Sequence, residues 1–159
     1  MLPGAPMMTE SDATSEASRE TSSDPRRIVL ADLVAHLAAG VMKQAQGYAA
    51  AAAQADGHLR QVLEELVRRK HAQAADLLPL GRALSVPAPS ASPATPPGSG
   101  AGWGTILGEA FQGERMVEAI ARELAVLASE PLLKALGARL AAGSARDGQE
   151  VRKLYLRYT

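Results

Sequence analysis

Apolar residues recur every three or four positions over four segments of the chain, with polar residues between them. This spacing is typical of amphipathic α-helices. It predicts helices over about residues 25–56, 58–80, 103–129 and 131–157, the third with a break near Gly108 or Gly113. The fold class predicted from the pattern is therefore all-α.

Residues that begin and end helices support these boundaries. Asp24-Pro25 offers a capping carboxylate followed by a proline at the first helical position. Gly57 suits a left-handed cap between the first two helices, and Pro79 with Gly81 is expected to end the second. Because the connections near residues 57 and 130 are so short, the helices that they join should be antiparallel neighbours.

The remaining segments divide the chain into a tail, a linker and two helical hairpins. Residues 1–24 are rich in Ser, Thr and Glu without periodicity, which predicts a disordered tail. Hairpins over 25–81 and 103–158 flank a Pro-rich linker, 82–102. About 18 such residues could span over ~50 Å, whereas a helix of about 22 residues is ~33 Å long. The linker can therefore return along the whole length of a single four-helix bundle, predicted over residues 25–159. In that case helices 2 and 3 should run parallel, and helices 1 and 3 should be adjacent or diagonal across the core.

Composition narrows the classes of partner. Positive and negative side chains balance at 17 each, so no global field draws the chain to nucleic acid or acidic lipid. The sequence has no cysteine, which excludes disulfides and thiolate metal sites. The first residues lack a signal-peptide pattern, and the sequence suggests no membrane-spanning stretch. We therefore expect a cytoplasmic protein without nucleic-acid or membrane partners.

Polar residues interrupt the apolar stripes of all four helices, and one in each helix lies at a similar distance from its turn: Gln44, His71, Glu114 and Asp147. In four-helix bundles, ionisable groups at one level of the core are how dimetal carboxylate sites are built. The four positions therefore predict a polar cluster at one level of the bundle.

The segment Leu66-Val-Arg-Arg-Lys-His71-Ala, the phrase Gln112-Gly-Glu114 and the order hairpin, linker, hairpin resemble the ferritin-like superfamily. Within it, the chain is similar to rubrerythrin-type proteins and small bacterial domains of unknown function, over about residues 28–156. The resemblance implies a dimetal ligand set with Glu on helices 1 and 3 and Glu-x-x-His on helices 2 and 4.

This chain departs from that ligand set. The helix 1 position falls at Val41, with Gln44 one turn on, and helix 2 carries Arg68-x-x-His71. Helix 3 keeps Glu114, and helix 4 has Asp147-x-x-Glu150. A guanidinium cannot ligate a metal, but Arg68 could pair with Glu114 or Asp147. The resulting interpretation is an ion-paired relic without metal or catalytic residues, made of Gln44, Arg68, His71, Glu114, Asp147 and Glu150.

Two alternatives remain at this point. Iron or manganese could bind to His71, Glu114, Asp147 and Glu150, or these side chains could point outward without forming a cluster. Without metal, the predicted function is that of a non-catalytic structural or partner-binding bundle. With metal, the alternative is a degenerate ferritin-like oxidase or iron-handling protein. A homodimer is expected through the small-residue face with Gly40, Gly47 and Ala51, and an unidentified protein partner is a further candidate.

Overall fold

The computed structural model describes residues 24–86 and 101–159, and four helices account for most of them. They are α1 (Pro25–Gln54), α2 (Gly57–Ala83), α3 (Trp103–Leu127) and α4 (Pro131–Tyr158). No strand occurs in these two ranges, which confirms the all-α prediction. The expected tail lies outside the described residues except for Asp24, and so does the linker between residues 87 and 100.

The local signals at the start of α1 and α2 act as the sequence predicts. The Asp24 carboxylate accepts a hydrogen bond of 3.0 Å from the backbone N–H of Arg26, and Pro25 occupies the first turn. Gly57 has φ of +58°, a left-handed conformation that glycine adopts without a Cβ clash. Only Ala55 and Asp56 separate α1 from α2, so the chain reverses within a very short segment.

Two expected interruptions do not end or break a helix. Pro79 lies inside α2, which continues to Ala83. The missing N–H of Pro79 deprives the carbonyl group of Ala75 of its helical partner. Both residues are exposed, so water can hydrogen-bond that carbonyl instead. α3 is also continuous through Gly108 and Gly113.

Contacts between helix ends show how the four helices pack. Arg26 Nη2 donates to the backbone oxygen of Leu127 at 2.8 Å, and Arg27 Nη2 donates to that of Ala83 at 2.8 Å. The start of α1 therefore lies beside the ends of both α2 and α3. α4 likewise packs against α3 and α2, whereas neither α1 with α4 nor α2 with α3 forms comparable contacts within the described residues.

The apolar core consists of two clusters, each built from all four helices. The first apolar cluster contains Leu33, Val34, Leu37, Val41, Leu77, Val117, Ala121, Leu124, Ala128, Leu133, Leu136, Leu140 and Ala141. The second apolar cluster contains Tyr48, Ala51, Ala52, Ala55, Leu59, Leu63, Leu66, Leu107, Val151 and Leu154. Along every helix, the residues of the two clusters are separated by a segment that carries buried polar side chains.

α1 is long and apolar enough to span a membrane by length and composition, the one such helix among the described residues. This differs from the expectation that the sequence suggests no spanning stretch. The buried core helix of a soluble protein and a signal sequence near the N-terminus share these properties. In this structure 33% of the apolar window of α1 is buried, and α1 supplies nine buried residues to the four packed helices.

Candidate functional site

Buried polar side chains from all four helices lie between the two apolar clusters. We call this group the polar layer: Gln44, Tyr48, Lys70, Glu114, Ser144 and Asp147, all of which are at most 8% exposed. α1 contributes two of them, α2 and α3 one each, and α4 the last two. The expectation of a polar level within the core thus has a counterpart in the structure, although its membership differs.

Lys70 lies at the centre of the layer with a fully buried side chain. Its ammonium Nζ is 2.6 Å from Glu114 Oε2 and 3.1 Å from Asp147 Oδ2. Nζ also donates to Gln73 Oε1 at 3.1 Å and contacts Ser144 Oγ at 3.5 Å. A lysine is almost never fully buried unless it is paired, and here four oxygen atoms surround it.

The second oxygen of Glu114 is bound by the phenol of Tyr48. The Tyr48 hydroxyl donates to Glu114 Oε1 at 2.7 Å. Gln44 Nε2 lies 3.3 Å from the Tyr48 hydroxyl oxygen and donates to the backbone oxygen of Ala110 at 2.9 Å. Burial, and then the negative charge of Glu114, raise the pKa of Tyr48 far above its ordinary value of 10.0. Tyr48 therefore stays a neutral donor throughout the physiological range.

Asp147 has partners on both oxygens. Arg69 Nη1 donates to Asp147 Oδ1 at 3.2 Å, and Gln73 Nε2 donates to Oδ2 at 3.3 Å. The Arg69 side chain is 31% exposed and also lies 3.5 Å from Glu65, so it joins the layer to the solvent-facing side of α2. With Lys70, the two cations balance the two carboxylates of the layer. No buried side-chain nitrogen or oxygen in the described residues lacks a hydrogen-bond partner.

The local sequence explains why these side chains face inward. Leu59, Leu63 and Leu66 follow helical spacing on the buried side of α2, and Lys70 is the next position in that series before Leu77. On α3, Gly113 leaves room for the neighbouring helix, because a Cβ there would collide with the side-chain amide of Gln44. That amide is itself held by hydrogen bonds, so the absence of a side chain at residue 113 lets α1 approach α3.

The structure brings together only part of the predicted site. Gln44, Glu114 and Asp147 are in the polar layer, but Arg68 and His71 are exposed. Arg68 binds Glu65 at 2.7 Å, not Glu114 or Asp147. The predicted pairing of Arg68 with a buried carboxylate is therefore wrong. The helix turns about 100° per residue, so residue 68 lies about 200° and residue 71 about 100° around α2 from residue 70. Neither therefore faces inward with Lys70.

Glu150, the last predicted member, lies beside the layer and not within it. Its carboxylate is 3.4 Å from Lys153 Nζ, one turn along α4, and its side chain is 35% exposed. Sequence reasoning missed three members of the layer, Tyr48, Lys70 and Ser144, and two of its neighbours, Arg69 and Gln73. Extending the leucine series of α2 by one step would have found Lys70.

The residues present do not fit the dimetal group that the ferritin-like resemblance implies. Over residues 24–86 and 101–159, no three His, Cys, Asp or Glu side chains are close enough to share a metal ion. The two carboxylates that meet, Glu114 and Asp147, bind the ammonium of Lys70 between them. A fixed positive charge at that point repels a divalent cation and uses the oxygen atoms that would bind it.

A small cleft between α3 and α4 leads from the surface to the polar layer. Its volume is about 230 Å³. Glu114 and Ser144 line it from the layer, and Phe111, Arg115, Glu118 and Gln149 are among its other lining residues. The guanidinium of Arg115 lies 6.0 Å from the centre of the Phe111 ring. The cleft therefore places an open space next to Glu114 and Ser144.

Comparison with protein-family models, with curated proteins and with solved structures gave no significant match.

Proposed function

We propose that the chain is a ferritin-like four-helix bundle, formed by two antiparallel helical hairpins and a crossover linker. The contacts of α1 with α2 and α3, and of α4 with the same two helices, support this topology. Arg26 at the start of α1 contacts Leu127 at the end of α3, and Gln44 further along α1 contacts Ala110 nearer the start of α3. These two contacts indicate that α1 and α3 are antiparallel. A level of ionisable groups in the middle of the core is a second point in its favour.

Within that fold, the protein is a non-catalytic structural or partner-binding bundle whose polar layer is a relic of a dimetal site. The observation that carries this proposal is Lys70, which occupies the space between the two carboxylates that the ligand pattern retains. A polar network whose members are all hydrogen-bonded makes a core more specific and needs no further ligand to be stable. The layer is complete without a cofactor, so we assign none.

The rival function is a degenerate oxidase or iron-handling protein. It would need His71 and Glu150 as ligands beside Glu114 and Asp147, together with iron or manganese. In the described structure His71 is exposed and Glu150 contacts Lys153, so neither supports that ligand set.

Metal analysis of purified protein separates the two functions. Protein prepared without chelators should contain well under one iron, manganese or zinc ion per chain. The control is the Glu114→Gln variant, since its metal content should equal that of the native chain. Stoichiometric metal in the native protein that disappears in Glu114→Gln would establish the rival function.

We further propose a cytoplasmic homodimer without nucleic-acid or membrane contacts. Ala51 cannot belong to its interface, because Ala51 is only 2% exposed within one chain, contrary to the sequence-based expectation. Gly47 is exposed, and a Cβ there would meet nothing within 4 Å. Gly47→Leu should therefore shift a dimer toward monomer without disturbing the fold, as measured by sedimentation equilibrium. A native monomer at tens of micromolar would refute the dimer.

A further inference from the structure

Lys70 has the surroundings of a bound cation. Its Nζ contacts Glu114 Oε2, Asp147 Oδ2, Gln73 Oε1 and Ser144 Oγ, at 2.6, 3.1, 3.1 and 3.5 Å. These oxygens come from α2, α3 and α4, so three helices converge on one positive charge. Carboxylate, amide and hydroxyl oxygens are also the donors that hard divalent cations such as Mn²⁺ take.

We infer that Lys70 is a built-in cation that closes an oxygen-lined site, and that removing its side chain converts this site into one for a divalent cation such as Mn²⁺. Deleting the ammonium leaves the two carboxylates with neutral donors, Tyr48 on Glu114 and Gln73 on Asp147, and with one positive charge, that of Arg69 on Asp147. Such a pair is costly to bury without a counter-ion. A divalent cation supplies the lost positive charge and takes the same oxygen atoms.

The molecule also provides access and space for the ion. The cleft of about 230 Å³ between α3 and α4 reaches Glu114 and Ser144, both of which contact Lys70 Nζ. Alanine at residue 70 would free the volume of the lysine side chain beside this cleft. Methionine at residue 70 would refill most of that volume with an uncharged chain, which gives a matched control.

The inference rests on the proposed function in one respect, since both take the native layer to be free of metal. Mn²⁺ binding is measured for the native chain, Lys70→Ala, Lys70→Met and the double variant Lys70→Ala/Glu114→Gln. Electron paramagnetic resonance gives the free Mn²⁺, and thermal unfolding is followed by circular dichroism with and without about 1 mM MnCl₂. A ligand at about 100 times its dissociation constant should raise the unfolding midpoint of Lys70→Ala by about 8 °C.

The other three proteins should shift by less than about 2 °C under the same conditions. A Lys70→Ala variant that folds only when Mn²⁺ is added would also support the inference. A folded Lys70→Ala variant without Mn²⁺ binding, or one that stays unfolded with Mn²⁺, overturns it. If the native chain bound Mn²⁺ as tightly as Lys70→Ala does, the proposed metal-free function would be refuted. The same result would show that Lys70 does not prevent metal binding.

Discussion

The two apolar clusters and the polar layer between them hold the helices together by different means. Apart from Tyr48, the clusters are made of leucine, valine and alanine, whose burial is favourable in any arrangement that excludes water. The layer depends on particular atom pairs, such as Lys70 with Glu114 and Tyr48 with Glu114. A rotation or a one-turn slip of one helix would keep much apolar contact but would separate these partners.

This difference suggests a division of roles. Burial in the clusters supplies most of the favourable free energy of folding, and the layer selects one register of the four helices. Lys70, Glu114 and Asp147 join α2 to α3 and α4, while Tyr48 and Glu114 join α1 to α3. We therefore infer that the layer contributes more to the uniqueness of the fold than to its net stability, as buried polar groups do in some other proteins.

The largest expected effect comes from removing the buried cation. Lys70→Ala leaves Glu114 without a cationic partner, and it leaves Arg69 as the cationic partner of Asp147. Breaking a buried ion pair from one side costs about 3–5 kcal/mol. The free energy of unfolding of Lys70→Ala in metal-free buffer, from urea titration, should fall by about this amount.

A compensating variant tests whether this cost belongs to the unpaired charges. Replacing Lys70, Glu114 and Asp147 by methionine or leucine, with Tyr48→Phe, removes the charges and the phenol that would lack its acceptor. Such apolar replacement of a buried ionic network is often neutral or stabilising. The combined variant should recover most of the stability lost in Lys70→Ala but unfold less cooperatively. If the free energy of unfolding of Lys70→Ala fell by less than about 1 kcal/mol, the carboxylates of Glu114 and Asp147 would not need the lysine as a counter-ion, contrary to this prediction.

The sequence was sufficient to predict the four helices, because apolar periodicity placed them with nearly correct limits. Two predicted interruptions, the end of α2 at Pro79 and the break of α3 at Gly113, do not occur, and each has a physical reason. Pro79 is tolerated because the carbonyl group that it deprives of a partner faces solvent. α3 continues through Gly113 because a helix interior accepts glycine at a cost of about 1 kcal/mol, and here a neighbouring side chain fills the space.

The polar layer was harder to predict because helical phase decides it within one residue. Arg68, Lys70 and His71 are close in sequence, but at about 100° per residue they point in different directions. Histidine is a common metal ligand, so His71 is the residue that a metal site would favour, whereas a lysine in a core position contradicts the usual preference of lysine for solvent. Only the tertiary structure shows that two carboxylates from other helices meet this lysine.

An intermediate effect is expected from the phenol that supports Glu114. Tyr48→Phe keeps the ring in the second apolar cluster but removes the hydroxyl that donates to Glu114 Oε1 at 2.7 Å. An acceptor left without its donor costs about 1–3 kcal/mol. The free energy of unfolding should therefore fall by less than in Lys70→Ala. The Gln44 amide keeps its hydrogen bond to Ala110, so helical content by circular dichroism should not change.

Tyr48 also gives the native protein a dependence on alkaline pH. Its pKa is raised in the folded state, chiefly by burial, so its contribution to stability is complete below the unfolded-state value of 10.0. As the pH rises above that value, the unfolded chain loses the proton while the folded chain retains it, and stability falls. The native protein should lose stability above pH 10 more steeply than Tyr48→Phe. Equal slopes for the two proteins would contradict the burial of a protonated phenol.

The smallest effect on stability is expected at Arg68, two residues before Lys70, where the largest effect is expected. Arg68 carries the same charge as Lys70, but its side chain is 67% exposed and binds Glu65 on the surface of α2. That hydrogen bond lowers the pKa of Glu65, although exposed pairs of this kind contribute little to folding. Arg68→Ala should therefore change the midpoint of thermal unfolding by less than about 2 °C. The pKa of Glu65, followed by NMR, should rise toward its ordinary value because its main donor is gone. A large loss of stability in Arg68→Ala together with a small one in Lys70→Ala would mean that α2 is rotated from its place in this structure, and that the cation between Glu114 and Asp147 is Arg68.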